Sequence, residues 1–150
     1  MAIYLKITNP TEVVKKKTSK WLTDITPERI DRKLVEDEVI KGIRFENHCM
    51  EILKQNGWEV KETPNTGDQG VDLIASINDL RICIQCKDHE KAIGNKAVQE
   101  ISAGKLFWKG THAIIVSKSG FTKSAHQLAK SNKVELINEF QLKDLEKFIV

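Results

Sequence analysis

Long apolar runs are missing from this 150-residue chain. No stretch approaches the ~20 residues that cross a bilayer. The start, Met1-Ala2-Ile3-Tyr4-Leu5-Lys6, lacks the apolar segment of a secretion signal. Neither a membrane span nor export is therefore expected. Cysteine is scarce and odd in number, at three. That argues against a disulfide framework and for a reducing, cytoplasmic setting. Internal repeats and low-complexity tracts are also missing. Charge of one sign does not dominate: 24 Lys and Arg against 21 Asp and Glu leave a net +3. Such a balance is compatible with nucleic acid without demanding it. A hydrophobic share of 40% and a charged share of 30% suit a globular chain long enough for a sizeable core.

The remaining pattern divides the chain at about residue 38. Residues 1–38 read as an extension containing a short strand, a basic run and a helix start. Ile3, Leu5 and Ile7 alternate like a strand. Lys15-Lys16-Lys17 with Lys20 forms either a solvated surface or a phosphate-contacting arm. Thr26-Pro27-Glu28 reads as a helix start. Residues 39–150 read as the main domain. Helical pattern runs to about Lys41 and resumes from Ile43 to Asn56, with Gly42 either a break or absorbed. Gly57 suits a helix end. Trp58 to Glu62 alternates like a strand, and Thr63 to Gly70 reads as a loop. Further on, Asn95 is expected to cap a helix ending near Phe107, with Val98, Ile101 and Trp108 as its stripe. Ala113 to Val116 reads as a buried strand, Thr122 to Ser131 as a helix, Val134 to Ile137 as a strand, and Gln141 to Phe148 as a last helix. Strands separated by helices imply an α/β fold whose sheet is covered on both faces. An antiparallel hairpin makes that sheet mixed.

The hairpin carries the chemistry. Gly67-Asp68-Gln69-Gly70-Val71 leads to Asp72 and the apolar Leu73-Ile74-Ala75. After the turn-like Asn78-Asp79 comes Arg81-Ile82-Cys83-Ile84-Gln85-Cys86-Lys87. Folding near Asp79 returns Asp72 opposite Gln85 to Lys87. Strand alternation puts Gln85 and Lys87 on one face. A carboxylate, an amide oxygen and an ammonium then converge, a set that can hold a divalent metal and a phosphate. Mg²⁺ takes oxygen ligands and retains water, so one or two carboxylates suffice. Lys87 follows a run typical of a covered strand, so it must reach solvent or find an anion. Gln85 ligates without charge, so Gln85→Glu is expected to tighten Mg²⁺ binding. Glu46 supplies a second acid. With Ile43, Met50 and Leu53 it falls on one helical stripe, and so is expected to point toward the sheet.

These residues, in this order, resemble the catalytic domain of Mrr-type restriction endonucleases, of the PD-(D/E)xK superfamily. The likeness rests on Arg44-Phe45-Glu46, Gly67 to Leu73, Gln85-Cys86-Lys87, Val98-Gln99-Glu100, and Phe121-Thr122 with Ala125, and it covers about Val39 to the C-terminus. Gln at the acid position of the (D/E)xK triplet is common among Mrr-like members. The resemblance implies a restriction-endonuclease-like α/β/α sandwich around a mixed sheet. It also implies an active-site core of Asp72, Gln85 and Lys87, with Glu46 as an accessory acid. The expected activity is Mg²⁺-dependent DNA endonucleolysis, with Mn²⁺ as a substitute, leaving 5′-phosphate and 3′-hydroxyl ends. Metal would be held by Asp72, Gln85, the Cys86 backbone carbonyl, and Glu46 directly or through water. Mrr proteins usually carry a separate recognition domain, and only some 40 residues precede the nuclease core here. Little intrinsic sequence specificity is therefore expected.

Asp68 is either a supporting acid or a loop cap. Gln69, Gln99, Ser117, Lys118 and Lys123 are candidates for DNA contact or support; Gln99 and Ser117 resemble family positions near the cleft. Cys83-x-x-Cys86 has a zinc-like spacing, but an odd offset on a strand puts the thiols on opposite faces. The tryptophans read as core. DNA is the expected partner. A homodimer would supply a second site for double-strand cleavage, and a separate subunit could supply specificity. Two other readings stand beside this one: a structure-selective repair or junction nuclease of the same fold, and a non-catalytic DNA-binding or assembly module.

Overall fold

In the computed structural model, which describes residues 32–64 and 66–149, Asn78 and Asp79 turn the chain between β2 (Leu73–Ile77) and β3 (Leu80–Lys87). Asn78 takes a left-handed φ of 50°, a conformation Asn tolerates well. The turn fixes the register: Ile77 pairs with Leu80 and Leu73 with Ile84. β1 (Glu59–Glu62) adds antiparallel to β2. β4 (His112–Ser117) pairs parallel with β3, and β5 (Val134–Ile137) parallel with β4. The five strands lie in the order β1-β2-β3-β4-β5. The parallel steps are made by α2 (Asn95–Phe107) between β3 and β4, and by α3 (Lys123–Asn132) between β4 and β5. α1 (Arg32–Gln55) precedes the sheet, and a 3-10 segment (Glu139–Phe148) follows it. The chain divides at Lys41 into two units; the described part of the first is the opening of α1. The expected strand, basic run and helix start before residue 31 lie outside the described residues.

Strand alternation sorts the second unit's core into two layers. On one side of the sheet, Leu73, Ala75, Ile82, Ile84, Cys86, Ile114 and Val116 pack with Phe45, Cys49 and Leu53 of α1 and with Leu142 and Leu145. On the other side, Ile74, Cys83, Ala113, Ile115 and Val134 pack with Ala97, Val98 and Ile101 of α2 and Ala125 and Ala129 of α3. This is the α/β/α arrangement around a mixed sheet that the pattern implied. Cys83 and Cys86 fall on opposite sides, as their odd spacing requires.

Local details differ from the expectations. Gly42 is absorbed into α1, which is continuous. The buried stripe of α1 runs one row over from the expected one. Phe45, Cys49 and Leu53, at four-residue spacing, are its buried members, while Glu46 and Met50 are half-buried on its shoulder. Asn95 does not cap α2. Gly94 occupies that position, and the Asn95 amide instead donates to Ser124 Oγ at 2.9 Å. The last element is 3-10 rather than α. A capping box of Asn138 and Gln141 starts it, and Asp144 interrupts it at φ −114°, ψ 32°. Three-residue spacing aligns Leu142, Leu145 and Phe148 along a 3-10 edge, and the two leucines are fully buried.

Candidate active site

The loop before β2 delivers Asp72. Gly70 N–H donates to Asp68 Oδ1 at 2.9 Å, and Val71 N–H to the Asp68 carbonyl at 3.0 Å. Trp108 Nε1–H donates to that same carbonyl at 2.9 Å, tying the loop to the end of α2. Asp68 thus has the geometry of a loop cap. Asp72 is then gripped from both strand neighbours. Its N–H donates to the Ile84 carbonyl at 2.8 Å, and its carbonyl accepts from Thr63 N–H at 3.0 Å. Its carboxylate Oδ2 accepts from Cys86 N–H at 2.8 Å. The backbone of the Gln85-Cys86-Lys87 triplet therefore holds the Asp72 side chain directly.

Gln85 lies on the α2 side of the sheet and is 3% exposed. Its Nε2 donates to Glu100 Oε2 at 3.2 Å. Its Oε1 is buried and makes no hydrogen bond to any described residue. An amide oxygen in that position is expensive unless something accepts its lone pairs. Lys87 ends β3 half-buried, opposite Ser117 in the β3–β4 register.

Cys86 reports on the α1 side. Its thiol is pushed well above the ordinary value, first by a hydrogen bond with the Cys49 thiol, then by burial, with the Asp72 and Glu46 carboxylates adding to the effect. Both carboxylates thus lie within electrostatic reach of the Cys86 thiol. Burial also pushes the Cys83 thiol up. Neither group is a thiolate, the form that attacks electrophiles or binds soft metals. Among the described residues, no group of three or more His, Cys, Asp or Glu side chains could hold a metal ion.

The remaining candidates sit around this centre in other ways. Ser117 is 1% exposed and folds into its own turn, with Oγ at 3.3 Å from the Gly120 carbonyl and accepting from Ser119 N–H at 3.2 Å. Lys118 pairs with Asp88 at 3.2 Å and lies 4.8 Å from the Phe45 ring centroid. Gln69, at a left-handed φ of 54°, and Gln99 and Lys123 are exposed. Glu100 belongs to the Val98-Gln99-Glu100 segment of the family likeness, but sequence reading assigned it no role in the site. A signal existed: Glu100 stands three residues after Ala97 and four before Gly104, both buried on the inner face of α2.

Glu46 gives a direct check on the α1 side. Glu46→Gln keeps the shape and removes one of the two charges near Cys86. If the site cleaves with Mg²⁺, as the sequence resemblance implies, the concentration needed should rise about tenfold, the lower range for losing a supporting group. Melting in EDTA should stay level or rise. A lower melting temperature in EDTA with unchanged cleavage would make Glu46 a structural ion-pair residue.

Residues 38–145 match the family model Mrr_cat, described as restriction endonuclease. A second model, a domain of unknown function, matches residues 1–72. No curated protein matches. Among solved structures, a protein of unknown function, AF1548, aligns at a TM-score of 0.53 and 21% identity, over 63% of this chain and 57% of its own. The MspJI restriction endonuclease, in complex with a 27-mer oligonucleotide, aligns at a TM-score of 0.44 and 17% identity, over 72% of this chain and 30% of its own. The chain thus spans between about a third and somewhat over half of those structures. The AF1548 likeness is one of fold.

Proposed function

We propose that this chain, which belongs to the Mrr-type restriction endonuclease family, hydrolyses DNA phosphodiester bonds with a divalent cation, Mg²⁺ by preference and Mn²⁺ as a substitute. The observation that carries this reading is the buried, unpartnered Gln85 Oε1 on the strand whose backbone grips the Asp72 carboxylate. An unsatisfied buried oxygen on the residue next to the N–H that fixes a carboxylate suits a hard cation, which takes oxygen ligands and keeps several waters. Asp72 and Gln85 would hold it, with the Cys86 carbonyl, and with Glu46 directly or through water. When bound, the cation supplies Lewis-acid stabilisation of the phosphate and a more acidic water.

The chain's own residues do the rest. Asp72 needs little reorganisation, because Cys86 N–H already fixes Oδ2. Lys87 orients the attacking water and offsets negative charge building on the phosphate. Its aliphatic stem is half-buried at the strand end, which limits where the ammonium reaches. One such site cuts one strand, so double-strand cleavage requires a second copy.

The test is incubation of the protein with supercoiled, linear, single-stranded and branched DNA, each with Mg²⁺, Mn²⁺ or EDTA. Nicking of plain supercoiled DNA with either metal and none in EDTA supports the reading. Cleavage confined to branched DNA would show a junction-selective nuclease. Tight DNA binding without cleavage under any condition would show a non-catalytic module.

Low specificity has its own signature. If phosphate contacts supply most of the affinity, binding releases counterions and falls steeply with salt. Affinity should drop by about a thousandfold between about 50 and 200 mM salt, and vary little across methylated and unmethylated duplexes. A sequence or methylation preference above about a thousandfold, the lower range for specific binders, would show that recognition is built into this chain.

A further inference from the structure

Glu100 touches both halves of the hairpin site. Its carboxylate accepts from Gln85 Nε2 at 3.2 Å. Its stem lies against the loop that delivers Asp72, for a Cβ added at Gly70 would meet Glu100 Cβ at 2.7 Å. A carboxylate only accepts hydrogen bonds, so the amide must turn its nitrogen toward Glu100 and its oxygen away. That leaves Oε1 buried and unpartnered. Without Glu100 the amide is free to flip, and a flipped amide presents N–H groups, which cannot ligate a cation.

We propose that Glu100 is a positioning residue that locks the Gln85 amide with its oxygen toward the cation, so that Gln85 and Glu100 work as one unit: a neutral ligand on β3 and a carboxylate behind it on α2. This rests on the cation reading above. It also accounts for a glutamine at position 85. A carboxylate there would face the Glu100 carboxylate at roughly hydrogen-bond distance, and two such groups cannot both stay ionised comfortably. The sequence-based expectation that Gln85→Glu tightens Mg²⁺ binding is thereby reversed for the single variant. The gain should come only when Glu100 is changed as well.

The experiment uses five variants and two readouts besides cleavage: Mn²⁺ affinity by titration calorimetry, and melting temperature in EDTA. Glu100→Ala should weaken Mn²⁺ binding about 10- to 100-fold, as losing a partner behind a ligand does. Glu100→Gln keeps an oxygen acceptor and should retain most of the affinity. Gln85→Glu should melt about 4 °C lower in EDTA, the size expected for roughly 1 kcal/mol in a chain of this length. The double variant Gln85→Glu/Glu100→Gln restores one donor facing one acceptor. It should recover the melting temperature and bind Mn²⁺ at least as tightly as the wild type. Asp72→Asn is the control for the underlying reading. If Asp72→Asn loses Mn²⁺ affinity while Glu100→Ala does not, or if the double variant melts no higher than Gln85→Glu, the positioning role of Glu100 is overturned alone. If Asp72→Asn binds Mn²⁺ like the wild type, the cation reading itself falls.

Discussion

Asp72→Asn is expected to lower cleavage by about a thousandfold, the upper range for removing one charge-stabilising group, while melting within a few degrees of the wild type. Asn keeps a side-chain oxygen that can accept from Cys86 N–H, now at 2.8 Å from Oδ2, but it carries no charge for a cation. Asp72→Ala removes both. It should lose cleavage equally and also destabilise the hairpin by about 1–3 kcal/mol, the cost of a buried donor left without its acceptor. The pair of variants therefore separates chemistry from folding. Lys87→Ala should lose cleavage by a similar factor with DNA binding largely retained, because only one phosphate contact disappears. Gel assays of nicking and binding, alongside thermal melts, measure all of this. Folded Asp72→Asn and Lys87→Ala proteins that cut at the wild-type rate would end the metal-nuclease reading.

Gly104→Ala is expected to destabilise the fold as strongly as Asp72→Ala, through packing. On α2 this glycine faces the loop that leads into Asp72. An added Cβ would lie 2.5 Å from Val71 Cγ2 and nearer still to the Gln69 carbonyl oxygen. A backbone carbonyl cannot rotate aside as a long side chain can. Either α2 must retreat or the loop must shift. Overpacking of this kind costs about 1–3 kcal/mol, or about 4–12 °C in melting temperature at roughly 4 °C per kcal/mol. Cleavage should fall as well, because the displaced loop carries Asp72 with it and a small misplacement is costly to catalysis. Gly42→Ala is the contrast: it sits inside α1 with nothing within 4 Å of an added Cβ. It should be neutral or stabilising by up to about 1 kcal/mol. A Gly104→Ala protein as stable and active as wild type would show that the loop and α2 are not rigidly packed.

What the sequence determined by itself is the local and the periodic. The meeting of Asp72 with the Gln85 to Lys87 segment was legible because a tight turn at Asn78 and Asp79 transmits register residue by residue, from Ile77 opposite Leu80 back to Leu73 opposite Ile84. The two-faced sheet and the opposite placement of Cys83 and Cys86 followed from the same period of two. The helix expected over Thr122 to Ser131 forms as α3, with Thr122 outside it as the cap: its Oγ1 accepts from Ala125 N–H at 3.1 Å. What only the tertiary structure decided is contact between elements that no short-range rule connects. Whether Glu46 or Phe45 forms the buried row of α1 depends on the rotation of that helix against the sheet, a matter of about 100° per residue. Asn95 falls inside the first turn of α2, with Gly94 at the cap position, and its Nδ2 donates to Ser124 on α3. Glu100 meets Gln85 across a crossover, and the Cys49 thiol meets Cys86 across the layer boundary. Each of these is set by how layers pack once all the apolar stripes are buried together, and that sum is not contained in any one segment.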